Sequence, residues 1–146
     1  WPRRGAKNYA DFFAIVERLL KDKGLFLLHT IGSYLTPRKF DPWMDKYVFP
    51  NGRLSSAADI AGSVERRWLI EDWHNFGADY DRTLMVRWEN FERGWPRLAD
   101  KYGESFHRMW KYYLLSCAGY FRSRQGQLWQ IVLSKRARSG GYRSVR

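Results

Sequence analysis

The chain has 146 residues, 45% of them apolar and 18% aromatic, and a formal net charge of +11. That composition builds a core and excludes a disordered tail, and the length suits one domain or part of a larger one. A lone cysteine, Cys117, excludes an internal disulfide and fits a reducing compartment. No apolar run approaches the roughly 20 residues that span a bilayer as a helix.

The charge is uneven. No acidic residue follows Glu104, yet nine basic ones do: Arg108, Lys111, Arg122, Arg124, Lys135, Arg136, Arg138, Arg143 and Arg146. A one-sided field of this kind favours polyanions, either an anionic membrane surface or nucleic acid, unless it is merely solvated.

The chain opens at Trp1 and enters a helical pattern almost at once, as expected of a piece of a longer protein. Asn8 is a good helix N-cap, and Tyr9, Phe12, Phe13, Val16, Leu19 and Leu20 recur at helical spacing behind it. Gly24 stands where a C′ glycine would end that helix. Residues 25–31, Leu-Phe-Leu-Leu-His-Thr-Ile, read as a strand buried on both faces, the pattern of a parallel sheet.

Residues 33–54 read as a long connection with Pro37, Pro42 and a Pro50-Asn51-Gly52 turn; loops of that length are often functional, for example as lids. Ser55 or Ser56 can cap a short helix through about Glu65, and a second strand starts near Trp68. Asp79 can cap a helix striped with Leu84, Trp88, Phe91 and Trp95. Pro96 predicts a break, and a further helix after Gly103 has a wide apolar face. Residues 128–133 form a third strand. The tail from Ser134 is basic and rich in glycine, so it is expected to fray.

Strands alternating with helices give an α/β sheet. Three strands are few for such a sheet, which places further strands upstream of Trp1. In open sheets, chemistry sits at the carboxyl ends of strands, which singles out His29. On the residues alone, a satisfied core histidine remains the competing reading. The chain carries no Walker loop, G-x-S-x-G elbow, H-E-x-x-H motif or glycine-rich dinucleotide fingerprint. His29, His74 and His107 are too scattered to predict a metal site.

Several segments together resemble one family. They are Gly5-Ala6-Lys7-Asn8-Tyr9; LFLLHTIG at 25–32; Asp41-Pro42-Trp43 with Tyr47 to Gly52; EDWHNFGADYDRTL at 71–84; YYLLSCAGYFR at 112–122; and QLWQIV at 127–132. In order and spacing they look like the C-terminal half of a cyclopropane-fatty-acyl-phospholipid synthase. The resemblance implies the C-terminal half of a doubly wound, Rossmann-like class I S-adenosylmethionine-dependent methyltransferase fold with an antiparallel last strand. It implies catalytic-domain residues 1–134 followed by a basic tail, 135–146.

The resemblance further implies methylene transfer from S-adenosylmethionine to a cis double bond of phospholipid acyl chains. The product could be a cyclopropane or a branched methyl. Bicarbonate is the expected base, held at the positions of His29, Tyr80 and the Ile31 backbone. Phe76, Trp88, Trp110, Tyr113 and Tyr120 are candidates to line the acyl chain, against the plainer reading that they are core. The implied partner is an anionic phospholipid surface, with a cytoplasmic location at the inner face of a bacterial membrane. The rival reading is a non-catalytic basic module for membrane or nucleic acid, the latter disfavoured.

Two departures stand out. Where the family has an acidic Glu-His-Val-Gly segment, this chain reads Pro2-Arg3-Arg4-Gly5. The family's cofactor loop, ribose-binding acid and active-site cysteine match nothing here, so the cofactor site is expected outside this chain. Cys117 lies on an apolar helical face and reads as a small core residue.

Overall fold

The structure, a computed structural model, describes residues 4–36, 40–136 and 139–145, with side chains from Tyr9 onward. Trp1–Arg3, Pro37, Arg138 and Arg146 lie outside these residues. The elements run α1 (Arg4–Leu19), β1 (Leu25–Ser33), α2 (Pro42–Tyr47), β2 (Ser55–Ser56), α3 (Ala57–Val64), β3 (Leu69–Asn75), α4 (Gly77–Gly94), a 3-10 turn (Trp95–Arg97), α5 (Ala99–Arg122) and β4 (Gly126–Ser134).

The sheet order is β2-β1-β4-β3. β4 is antiparallel to both β1 and β3, as expected of the last strand, so β1 and β3 run the same way. Their carboxyl ends therefore share one edge of the sheet. The three expected strands are joined by a fourth: two-residue β2 pairs parallel with β1 at Gly32 and Ser33.

One sheet face is packed by α1 and α3. Phe13, Ile60, Ile131 and Leu133 are fully buried there, with Phe26 and Leu28 of β1 packed against them. Burying each such large side chain contributes about 1.5–3 kcal/mol. The close fit explains Gly32, where a Cβ would meet the Trp129 ring at 2.2 Å.

The other face is covered by α4 and α5 at the Leu128 end only. Leu25, Leu27 and Leu69, at the opposite end, are 37%, 52% and 45% exposed. The expectation that β1 is buried on both faces is therefore wrong. Its continuous apolar run reflects one packed face and one face that the described helices leave open.

Helix starts differ from the expectations in instructive ways. α1 begins at Arg4, so Asn8 lies within it. α1 ends at Leu19, and Gly24 instead closes a later turn by donating to the Lys21 carbonyl at 2.8 Å. Ser56 does cap α3, in a reciprocal capping box with Asp59, and Glu65 ends that helix. α4 starts at Gly77, whose N–H donates to Asn75 Oδ1 at 3.1 Å. Asp79 is thus in the first turn, where its charge suits the helix dipole, and is not the cap.

The long connection is not structureless. Asp41 Oδ1 accepts from Met44 N–H at 2.8 Å and starts α2 with Pro42 in its first turn. Trp43 of α2 then packs edge-on to Tyr112 of α5 at 4.5 Å. Pro96 sits in the 3-10 turn, and α5 begins before Gly103. At Gly103, φ is 71°, a conformation that favours glycine and kinks the helix.

Candidate active site

His29 is the fifth of nine residues in β1, so it lies mid-strand and not at the carboxyl end where the sequence placed it, because β1 runs on to Ser33; His74 is next to last in β3. His29 lies directly opposite Gln130 on β4, and Gln130 lies directly opposite His74 on β3. Residues paired this way share a face, so the three form a row across the partly open face of the sheet. His29 is exposed and not the satisfied core histidine of the competing reading. The Phe76 ring flanks the row, 5.6 Å from the His29 ring and 5.3 Å from that of His74.

Ile31 lies two residues beyond His29 and so on the same face. On its other edge, among the described residues, β1 is paired by β2 at Gly32 and Ser33 alone. Because strand N–H groups alternate between edges, some between 25 and 31 lack a strand partner among the described residues. An open strand edge of this kind offers donors to an anion.

Tyr80 rises from the first turn of α4, half-buried, with its ring edge-on to Phe121 at 4.9 Å. Its hydroxyl oxygen accepts from Arg87 Nη1 at 3.1 Å. Arginine only donates, so the Tyr80 hydroxyl proton stays free for another acceptor. Arg87 also lies over the Tyr80 ring, 5.5 Å from its centre.

Phe76, Tyr80, Trp88, Trp110, Tyr113 and Tyr120 all pack around the core of Leu84, Leu114, Ala118, Phe121 and Leu128 between the sheet, α4 and α5. The five lining candidates are thus brought together, though not at equal distance from the strand edge. Tyr120 is close to it: a Cβ on Gly126, which pairs with Ser33 across β1 and β4, would meet its ring at 2.6 Å. Tyr113 lies near Tyr80 and Cys117. Trp88 is eight residues beyond Tyr80, about 12 Å along the helix axis. Trp110 continues the aromatic contact from Tyr113 at 5.1 Å toward Phe106 and Phe91.

Burial, as the leading cause, pushes the Tyr113 and Tyr120 hydroxyls above the ordinary phenol range. Burial likewise pushes the Cys117 thiol up to about 11, which suits a packing residue and not a nucleophile. Among the described residues, members of the basic region are engaged within the fold, Lys111 lying over the Trp88 ring at 5.6 Å. Arg122 binds both carboxylate oxygens of Asp81, at 2.8 and 2.9 Å, tying α5 to α4. Lys135 donates to the Leu20 carbonyl and lies 3.5 Å from Asp22.

Residues 3–131 match the family model described as mycolic acid cyclopropane synthetase. The chain belongs to this family. It is 56% identical over 136 residues to the cyclopropane-fatty-acyl-phospholipid synthase of Escherichia coli K12, covering 93% of this chain and 36% of that protein. A Citrobacter freundii protein of the same name is 51% identical over 87 residues, 60% of this chain and 97% of that sequence. The chain thus spans about a third of the length of its E. coli relative.

Among solved structures, the cyclopropane synthase MmaA2 from Mycobacterium tuberculosis superposes with a TM-score of 0.79 at 22% identity, over 89% of this chain and 50% of that one. Mycolic acid cyclopropane synthase CmaA1, complexed with SAH and CTAB, gives 0.80 at 23% identity, over 88% and 50%. The fold is therefore the C-terminal half of the class I methyltransferase architecture.

Sequence reasoning missed Arg87 and Gln130. Arg87 had a usable signal, since it lies seven residues after Tyr80 and so on the same helix face. Gln130 had a fainter one, an amide interrupting the apolar run 128–133.

Proposed function

We propose that this chain is the C-terminal part of a cyclopropane-fatty-acyl-phospholipid synthase. The whole enzyme would transfer a methylene from S-adenosylmethionine to the cis double bond of a phospholipid acyl chain. The observation that carries this reading is 56% identity over 136 residues to a synthase of that name, in a chain where His29 and Ile31 share one face of β1 and Tyr80 stands in the first turn of α4 beside an aromatic layer.

His29, the Ile31 N–H and the Tyr80 hydroxyl would hold a small anion, and bicarbonate fits this donor set. Bound there, it would supply the base for the proton lost on ring closure. The aromatic side chains between α4 and α5 would keep water from the apolar substrate, with Phe76, Tyr113 and Tyr120 nearest the site and Trp88 and Trp110 farther along.

The strand-to-helix connections at Ser56 and Asn75–Phe76, both within the described residues, are not glycine-rich turns and do not fit an adenosyl cofactor. That cofactor would be held by a part of the enzyme outside this chain. No helix among the described residues is long and apolar enough to cross a membrane. Access to lipid would be peripheral, at the inner face of the bacterial membrane. Exposed basic residues of α5 such as Arg108 and Lys111 would each add about 1 kcal/mol of attraction to an anionic surface.

The test is a chimera in which this chain replaces the matching segment of the E. coli relative. It is expected to methylenate unsaturated phospholipid vesicles. A folded chimera that binds S-adenosylmethionine yet forms no cyclopropane product would overturn the assignment.

A further inference from the structure

We infer that Gln130 is a positioning residue that fixes the tautomer of His29, so that the ring presents a donor to the site anion. This deepens the reading of His29 as a site residue and rests on it. Gln130 faces His29 across the β1–β4 ladder, and its amide nitrogen lies 3.4 Å from His29 Nδ1.

An amide nitrogen has hydrogens to give and no lone pair to offer. With the amide nitrogen facing it, Nδ1 would accept, and a neutral imidazole that accepts at Nδ1 carries its hydrogen on Nε2. The nitrogen left for a ligand is then an N–H, which suits an anion. The opposite tautomer would turn a lone pair toward the anion and repel it.

The surroundings support a specific role. Gln130 is flanked along β4 by Leu128, Trp129, Ile131 and Val132, all buried. Gln130 itself is half-buried on the partly open face, so its amide can reach His29 across the ladder. The Phe76 ring beside both histidines limits how the row can rearrange.

The experiment is nitrogen-15 NMR of the imidazole rings in the 146-residue chain, which has three histidines to assign. The parent His29 is expected to show the Nε2–H pattern. Gln130→Glu replaces the donor by a carboxylate and should convert His29 to a form protonated at Nδ1. Gln130→Met, similar in length but without a donor, should let the ring sample both tautomers if the glutamate variant does not fold. In the chimera, Gln130→Glu should lower turnover about 10-fold or more, as loss of a group orienting a functional histidine commonly does.

A parent ring protonated at Nδ1, or a ring pattern unchanged in the folded variants, would overturn this inference while leaving the site reading intact. If Gln130 sets the tautomer of the parent His29 but the chimera carrying His29→Ala stays fully active, the pairing stands and the site reading, with the anion role built on it, is overturned.

Discussion

The two faces of the sheet are built from the same strands and do different work. Against α1 and α3, Phe26, Ile131 and Leu133 meet fully buried Phe13 and Ile60. On the other face, His29, Gln130 and His74 occupy the corresponding strand positions, and Leu27 is half exposed. The closed face holds the domain together. On the proposed reading the partly open face would hold the chemistry, because a site must keep polar groups where a core cannot tolerate them.

The comparison breaks most readily at Phe13. Phe13→Ala should cost about 3–5 kcal/mol of stability by urea unfolding, the usual cost of emptying a closed core site. Leu27→Ala, a comparable truncation on the open face, should stay within about 0.5 kcal/mol. Equal losses at the two positions would mean the faces are not distinct in the way described.

The α4–α5 side of the open face offers a subtler probe. Hydrogen bonds from Arg122 hold the Asp81 carboxyl below the usual carboxylate range, with the Arg122 and Arg82 charges assisting. Its stabilising contribution is complete above the unfolded value, about 3.9, and is lost as pH falls through the lower folded value. Asp81→Asn should therefore be less stable than the parent at neutral pH, and the difference should close on acidification. Urea midpoints measured across that range check it. A gap that widens toward low pH would contradict the sign.

Much of the closed face was legible in the sequence, since helical spacing from Tyr9 to Leu20 and a cap at Ser55 or Ser56 depend on neighbours in the chain, though the choice of Ser56 and its reciprocal bond with Asp59 came from the structure. Burial on the open face was not legible. Leu27 is as apolar as Leu28, and only the placement of helices decides which of them is covered. Asp79 looked like a cap because its side chain suits one, whereas Asn75 supplies the bond to Gly77. Of the candidate site, His29 was singled out by its strand and by family resemblance, and Ile31 and Tyr80 by resemblance alone, while Gln130 lies 101 residues from His29 and meets it only once strand register is fixed.

The most direct measurement of the central claim is turnover and thermal midpoint of the chimera carrying His29→Ala. Because His29 is exposed on the open face, the midpoint should barely move, while turnover falls about 100-fold, the scale of losing one preorganised donor to an anionic site. Full turnover in that variant would contradict the account, as would a loss of activity explained entirely by unfolding.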